Sequence, residues 1–189
     1  MSSGHSGGSR GQFPPQPASI SPRWERGLLA VILAFAVLLR VWNLQGAPPG
    51  LTHDEAAHGQ DAVRIVAGAR PLYQTVGYGR EPLYDYLLAV ATAVGGVSPA
   101  VLRLTSVALG LITLTATYAW VRHAFGVPAA LLTAAFQAGS FWSLATSRQI
   151  LRSSLLPALC AGAVVFFWRA FPGLSGQEES GDSLRGRAG

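Results

Sequence analysis

The segment Leu51-Thr-His-Asp-Glu-Ala-Ala-His58 brings two carboxylates and two imidazoles together, groups that take and give protons near neutral pH. A protease-type zinc site needs histidines four apart on one helical face. His53 and His58 are five apart and point in different directions, so that chemistry is excluded, and no set of residues in the chain demands a metal. Asp54 and Glu55 also have a plain structural use, because carboxylates favour a helix N-terminus. His58 can join Asp54 in a polar site. Cys160, the single cysteine, lies in an apolar run and reads as a small buried hydrophobe.

These groups need elements to hold them. Thr52 followed three residues later by Glu55 is a capping box, which predicts a helix from here to about Gly68. At helical spacing Asp54, His58, Asp61 and Ile65 share one side, with Ala62 and Val66 on an adjacent face. The pattern is that of a short amphipathic helix along a membrane surface. Arg80-Glu81-Pro82 announces a second helix, running through Leu83-Tyr84-Asp85-Tyr86 to Gly95-Gly96. At about 1.5 Å per residue it covers roughly 21 Å, too little to cross a bilayer, and belongs in the interface.

Half of the 189 residues are hydrophobic and 12% are charged, and the charges sit in short segments between long apolar runs. That distribution marks a membrane protein. The formal charge of +5 comes from scattered arginines and forms no basic stripe, which argues against nucleic acid. The expected fold is all-α and polytopic, with about four transmembrane helices and two short interfacial helices in the first outer loop. The spans are placed at 27–44, 100–122, 127–146 and 154–171, with outer loops at 45–99 and 147–153. Disordered cytoplasmic tails are expected at 1–26 and 172–189. Trp24 and Trp42 flank the first span, and Arg40, one turn from its outer end, is expected to reach the headgroups. A row of small residues, Ala129, Ala130, Ala134, Ala135, Ala138 and Gly139, suits close packing against a neighbouring helix. Arg23, Arg26, Arg122, His123, Arg169, Arg185 and Arg187 adjoin or follow the ends assigned to the cytoplasm, which places the N-terminus inside and the 45–99 loop outside. Arg64, Arg70, Arg80, Arg103, Arg148 and Arg152 then lie outside or at the outer interface, an arrangement that an anionic ligand would explain.

Five pieces in order carry a resemblance: His53-Asp54-Glu55, Arg80-Glu81-Pro82-Leu83-Tyr84, Val101-Leu102-Arg103-Leu104, Val121-Arg122-His123-Ala124-Phe125-Gly126 and Ser147-Arg148-Gln149-Ile150-Leu151-Arg152. From about Gly27 to Phe171 the chain resembles the GT-C glycosyltransferases, in particular the protein O-mannosyltransferase-like and aminoarabinose transferase-like branch. The resemblance implies inverting transfer of a sugar from a polyprenyl-phosphate carrier to an extracytoplasmic acceptor. It assigns Asp54 to the acceptor nucleophile, with Glu55 orienting the acceptor or positioning Asp54. Binding of substrate falls to His58, Arg80, Glu81, Arg148 and Arg152, with Arg80, Arg148 and Arg152 on the donor phosphate. The only small molecule implied is the lipid-linked sugar, a substrate and not a cofactor. Where the aminoarabinose transferase has an acidic residue, Lys and Pro, this chain reads Arg80-Glu81-Pro82, so the basic residue has moved by one. Family members carry many more spans, which implies that this is the N-terminal part of such an enzyme, with a second membrane chain supplying further helices. The alternative is a non-catalytic membrane module that binds a polyprenyl-phosphate lipid or a partner membrane protein.

Overall fold

The computed structural model describes residues 20–75 and 79–171. Its elements are helical: α1 (Pro22–Val41), α2 (His53–Val66), α3 (Leu83–Gly95), α4 (Pro99–Phe125), α5 (Val127–Gly139), α6 (Phe141–Ser147) and α7 (Leu155–Ala170). A 3-10 turn, Arg152–Ser154, leads into α7. The all-α class is therefore as expected. Two segments are long and apolar enough to cross a membrane, α4 and the stretch Arg152–Ala170. The expected tails fall mostly outside the described residues, but the first ends early: Pro22 suits a first helical turn, and α1 begins there.

The third span departs from expectation. Instead of one helix over 127–146, α5 stops at Gly139, Ser140 adopts extended backbone, and α6 restarts at Phe141. A helix end leaves carbonyls without donors, and here a side chain supplies them. Arg40 reaches across from α1, its Nη1 donating to Ala138 O at 3.3 Å and its Nη2 to Gln137 O at 3.5 Å and Ser143 Oγ at 2.8 Å. Arg40 is fully buried, so it does not extend to the headgroups as expected; the break in the neighbouring helix gives its guanidinium a better set of acceptors.

Helix α4 is the central post. At its C-terminal half Leu114, Tyr118 and Val121 pack with Ala36 of α1 and with Ala130, Ala134 and Ala138 of α5. The small-residue row thus finds its neighbours within this chain, although Ala135 and Gly139 remain exposed. At its N-terminal half Leu102 and Leu109 join Ile65 of α2, Tyr84 and Leu88 of α3, Ile150, and Leu155 of α7. Two glycines permit the close turns. Gly126, at φ +84°, links α4 to α5, and a Cβ at Gly110 would meet Ser147 Cβ at 2.7 Å, so α6 can lie against α4 only there.

Large apolar side chains point outward from α1 (Phe35, Leu38), α5 (Leu132, Phe136) and α7 (Leu159, Phe166), as on helices that face lipid. Cys160 belongs to this outer surface and is exposed, not buried: the α7 positions that pack inward are Leu155, Ala158 and Ala161. The bundle also has distinct ends. Glu25, at the start of α1, accepts from Tyr118 Oη at 2.5 Å and pairs with Arg122 near the end of α4. His123 meets Trp168 of α7 edge to face, with ring centroids 5.6 Å apart. Arg122 and His123 of α4 therefore share one end with Glu25 and Trp168, and α2 and α3 occupy the other, to which Arg40 of α1 and Arg103 of α4 also belong.

Candidate active site

Helix α2 starts as its sequence dictates. Thr52 Oγ1 accepts from Glu55 N at 3.3 Å and Glu55 Oε2 accepts from Thr52 N at 2.9 Å, completing the capping box. The helix then turns its polar side inward. Glu55, His58 and Asp61 are buried with Ala62 and Ile65, while Val63 and Val66 are exposed.

Glu55 is an anchor. Its Oε1 accepts from Ile150 N at 3.0 Å and faces Arg103 Nε at 3.4 Å, with both side chains fully buried. Burial alone would push its carboxyl up; the Thr52 and Ile150 amides and Arg103 together outweigh it and hold it below the usual range. Arg103, on α4, also donates to Leu44 O, Pro48 O and Gly50 O at 3.0, 3.0 and 2.6 Å. Arg148 completes the clamp from the other side, donating to Leu39 O, Trp42 O and Ala47 O at 2.6, 2.8 and 2.8 Å. Two guanidinium groups thus satisfy the carbonyls of the irregular connection between α1 and α2, which has no ladder of its own. The structure places Arg148 in this clamp and away from the other expected donor-binding residues.

Those others converge. A cavity of about 320 Å³ is lined by Asp54, His58, Arg80, Leu151, Arg152 and Ser153. Behind it lies a polar network that the sequence reading had not assembled. His58 Nδ1 is 2.5 Å from Asp85 Oδ1, so the imidazole donates to the carboxylate and keeps Nε2 for other partners. Asp85, the one charge in α3, is fully buried and also accepts from Gln74 Nε2 at 3.3 Å. Asp61 pairs with Arg80 and, at 3.2 Å, with Arg64. Arg80 Nε lies 3.8 Å from Asp85 Oδ2 and makes no hydrogen bond. Tyr84 closes the back of the site. Its ring stands edge-on to His58 at 5.2 Å and its hydroxyl is 2.7 Å from Ser106 Oγ, and burial pushes its phenol up to about 12.

At the rim Arg152 Nη1 donates to Glu81 Oε2 at 2.9 Å, with both side chains about half exposed. Such a pair is weak and exchangeable. Asp54 is different from the other carboxylates of the site. Its side chain is 76% exposed, and among the described residues the only basic side chain within 4 Å of it is His53, at 3.9 Å. Asp85, Asp61 and Arg103 were missed as network members. An acid alone in an apolar helix is the signal that could have found Asp85, an arginine near the start of an apolar span the one for Arg103, and the helical face shared with Asp54 and His58 the one for Asp61.

Comparison with curated proteins and with solved structures gives no significant match. Residues 79–175, just over half of the 189, match the family described as dolichyl-phosphate-mannose-protein mannosyltransferase. Asp54, Glu55 and His58 precede the matched segment. The α3 side of the site and the 148–154 segment, with Arg80, Glu81, Asp85 and Arg152, are inside it, and the chain belongs to the dolichyl-phosphate-mannose-protein mannosyltransferase family, membrane glycosyltransferases of the GT-C type.

Proposed function

We propose that the chain carries the site for inverting transfer of a sugar from a polyprenyl-phosphate carrier to an acceptor outside the cytoplasm. The observation that carries this reading is one cavity lined both by an exposed carboxylate that pairs with no arginine, Asp54, and by two guanidinium groups, Arg80 and Arg152. Asp54 takes the acceptor's proton as the acceptor oxygen bonds to the anomeric carbon, and the bond from that carbon to the carrier phosphate breaks with its electrons leaving on the phosphate. Arg152 exchanges its exposed partner Glu81 for that phosphate, and Arg80, fixed by Asp61, adds a second donor. His58, oriented by Asp85, presents Nε2 to an acceptor hydroxyl. Glu55 acts through structure, holding the first turn of α2 and therefore Asp54 in place.

The same reading sets four passes, α1, α4, the α5–α6 pair and α7, with the Glu25 end in the cytoplasm and the Asp54 cavity outside. Arg122 beside Glu25 and His123 beside Trp168, at the end assigned to the cytoplasm, support it, since Arg40, Arg80, Arg103 and Arg148 at the opposite end are taken up by carboxylates or backbone carbonyls.

The test is transfer from a polyprenyl-phosphate mannose donor in membranes holding the full chain. Asp54→Asn is expected to lower the rate by about 10²–10⁴-fold with donor binding and thermal stability retained, the range for loss of a general base. A variant as active as the parent removes Asp54 from the chemistry. Donor binding without transfer in the parent itself would favour the non-catalytic module.

A further inference from the structure

A cavity of about 280 Å³ lies at the Glu25 end of the bundle, between the last turns of α4 and α7. Three of its lining residues are basic, Arg122 and His123 of α4 and Arg169 of α7. Three are aromatic, Tyr118, Trp120 and Trp168, and among the described residues no carboxylate lines it. Glu25, just outside, has both its oxygens engaged: Oε1 accepts from Tyr118 Oη and Arg122 Nε, and Oε2 from Arg122 Nη2 at 3.1 Å. That pairing fixes Arg122 and neutralises it, while its Nη1 makes no hydrogen bond among the described residues. Arg169 is exposed, and among the described residues neither it nor His123 pairs with a carboxylate. The charge around the cavity is therefore positive, and Arg169 supplies it.

Its depth follows from the two helices that form it. Helix α4 and the stretch Arg152–Ala170 are the two described segments long and apolar enough to cross a membrane, and the cavity lies where both end. Trp120 and Trp168 in its wall suit the headgroup level. One turn further into each helix the lining becomes apolar, with Ala119 and Val165, and Phe166 and Phe167 of α7 are exposed beside it. A ligand that matches this surface is anionic at one side and hydrocarbon at the other. A free anion leaves the apolar wall uncovered, and a choline head is repelled by Arg169. We propose that this cavity binds the headgroup phosphate of an anionic glycerophospholipid, whose acyl chains lie along α4 and α7. Basic pockets between membrane helices hold anionic headgroups in this way. The volume is just below the roughly 300–1,000 Å³ of pockets for drug-sized ligands, so it takes a headgroup and leaves the chains in the bilayer. Of the reading given above, the proposal rests on the passes of α4 and α7 across the membrane and on nothing assigned to Asp54.

The test is native mass spectrometry of the full-length chain, titrated in detergent with dioleoyl phosphatidylglycerol or dioleoyl phosphatidylcholine, so that each bound lipid is counted by its mass. A saturable phosphatidylglycerol site is expected, with phosphatidylcholine weaker by at least about fivefold. Arg169→Gln is expected to weaken phosphatidylglycerol by about fivefold, the scale for one basic residue at an anionic membrane surface. Arg26 is an exposed arginine in the first turn of α1, at the same end but outside the cavity lining, and Arg26→Gln is expected to leave the affinity unchanged. Both substitutions remove one positive charge, so equal losses would mean diffuse attraction to a basic end and would overturn the site. Equal affinity for the two lipids, the outcome if Glu178 and Glu179 of the chain's own C-terminal segment occupy the cavity, would overturn it as well. So would displacement of the lipid by sodium phosphate at the lipid's own concentration, which marks a site for free phosphate, or loss of affinity in Arg152→Gln, which places the lipid at the Asp54 cavity. Unchanged thermal unfolding of Arg169→Gln separates loss of binding from loss of fold. Sugar transfer is not read, so a chain inactive in transfer still passes or fails this test on its own terms.

Discussion

Guanidinium groups in this chain divide by what lies within their reach. Arg103 and Arg148 meet backbone carbonyls and become structural, whereas Arg152 meets only an exposed carboxylate and stays free to change partner. Removing one member of a buried ion pair leaves the other charge uncompensated. Arg103→Met is therefore expected to cost about 3–5 kcal/mol in unfolding free energy, measured in detergent, and Glu55→Gln less, because an amide oxygen can still accept from Ile150 N. Glu55 also predicts a pH dependence. Its carboxyl is held below the ordinary value of 4.5, so its contribution to stability is complete above that value and fades as pH falls through the lower folded value. The low-pH arm of a melting-temperature profile should be shallower in Glu55→Gln than in the parent. Residue types alone could not separate these arginines, since a guanidinium that binds phosphate and one that binds carbonyls use the same five donors.

At the scale of elements, the capping box at Thr52, the proline at the start of α4 and the glycine between α4 and α5 are local signals, and α2, α4 and α5 begin where these signals stand. The break at Ser140 is local only in part. The run from Val127 to Thr146 is apolar enough to continue as one helix; it divides at the Gly139-Ser140 pair, a combination that kinks helices, and Arg40, about a hundred residues earlier, takes up the carbonyls that the break exposes. The contact of α6 with α4 rests on Gly110. Gly110→Val is expected to destabilise the fold by about 1–3 kcal/mol through overpacking against Ser147. Gly162→Ala, in α7 where a Cβ meets nothing within 4 Å, should stabilise by up to about 1 kcal/mol. Thermal unfolding of the two variants side by side reads both effects, and equal shifts would show that the α4–α6 approach does not limit packing.

For the whole molecule, the opposite placement of the Glu25 end and the Asp54 cavity makes topology measurable. In a Cys160→Ser background, Val97→Cys and Phe125→Cys place exposed thiols at the two ends of α4. An impermeant maleimide added to intact cells should label Val97→Cys alone; labelling of Phe125→Cys alone would invert the orientation, and labelling of both would show that α4 does not cross. The sequence by itself determined the helical, membrane-type body, the start of α2 and the residue types of the site, because apolar run length, capping and composition act over a few residues. Only the tertiary structure decided which charges stay available. Asp85 reaches His58 from α3, Arg103 reaches Glu55 from α4, and Arg40 reaches α5 and α6 from α1. Each of these pairings joins residues 27 to 103 positions apart, and in a low-dielectric interior a buried charge settles where a complementary group closes around it, which no local pattern specifies.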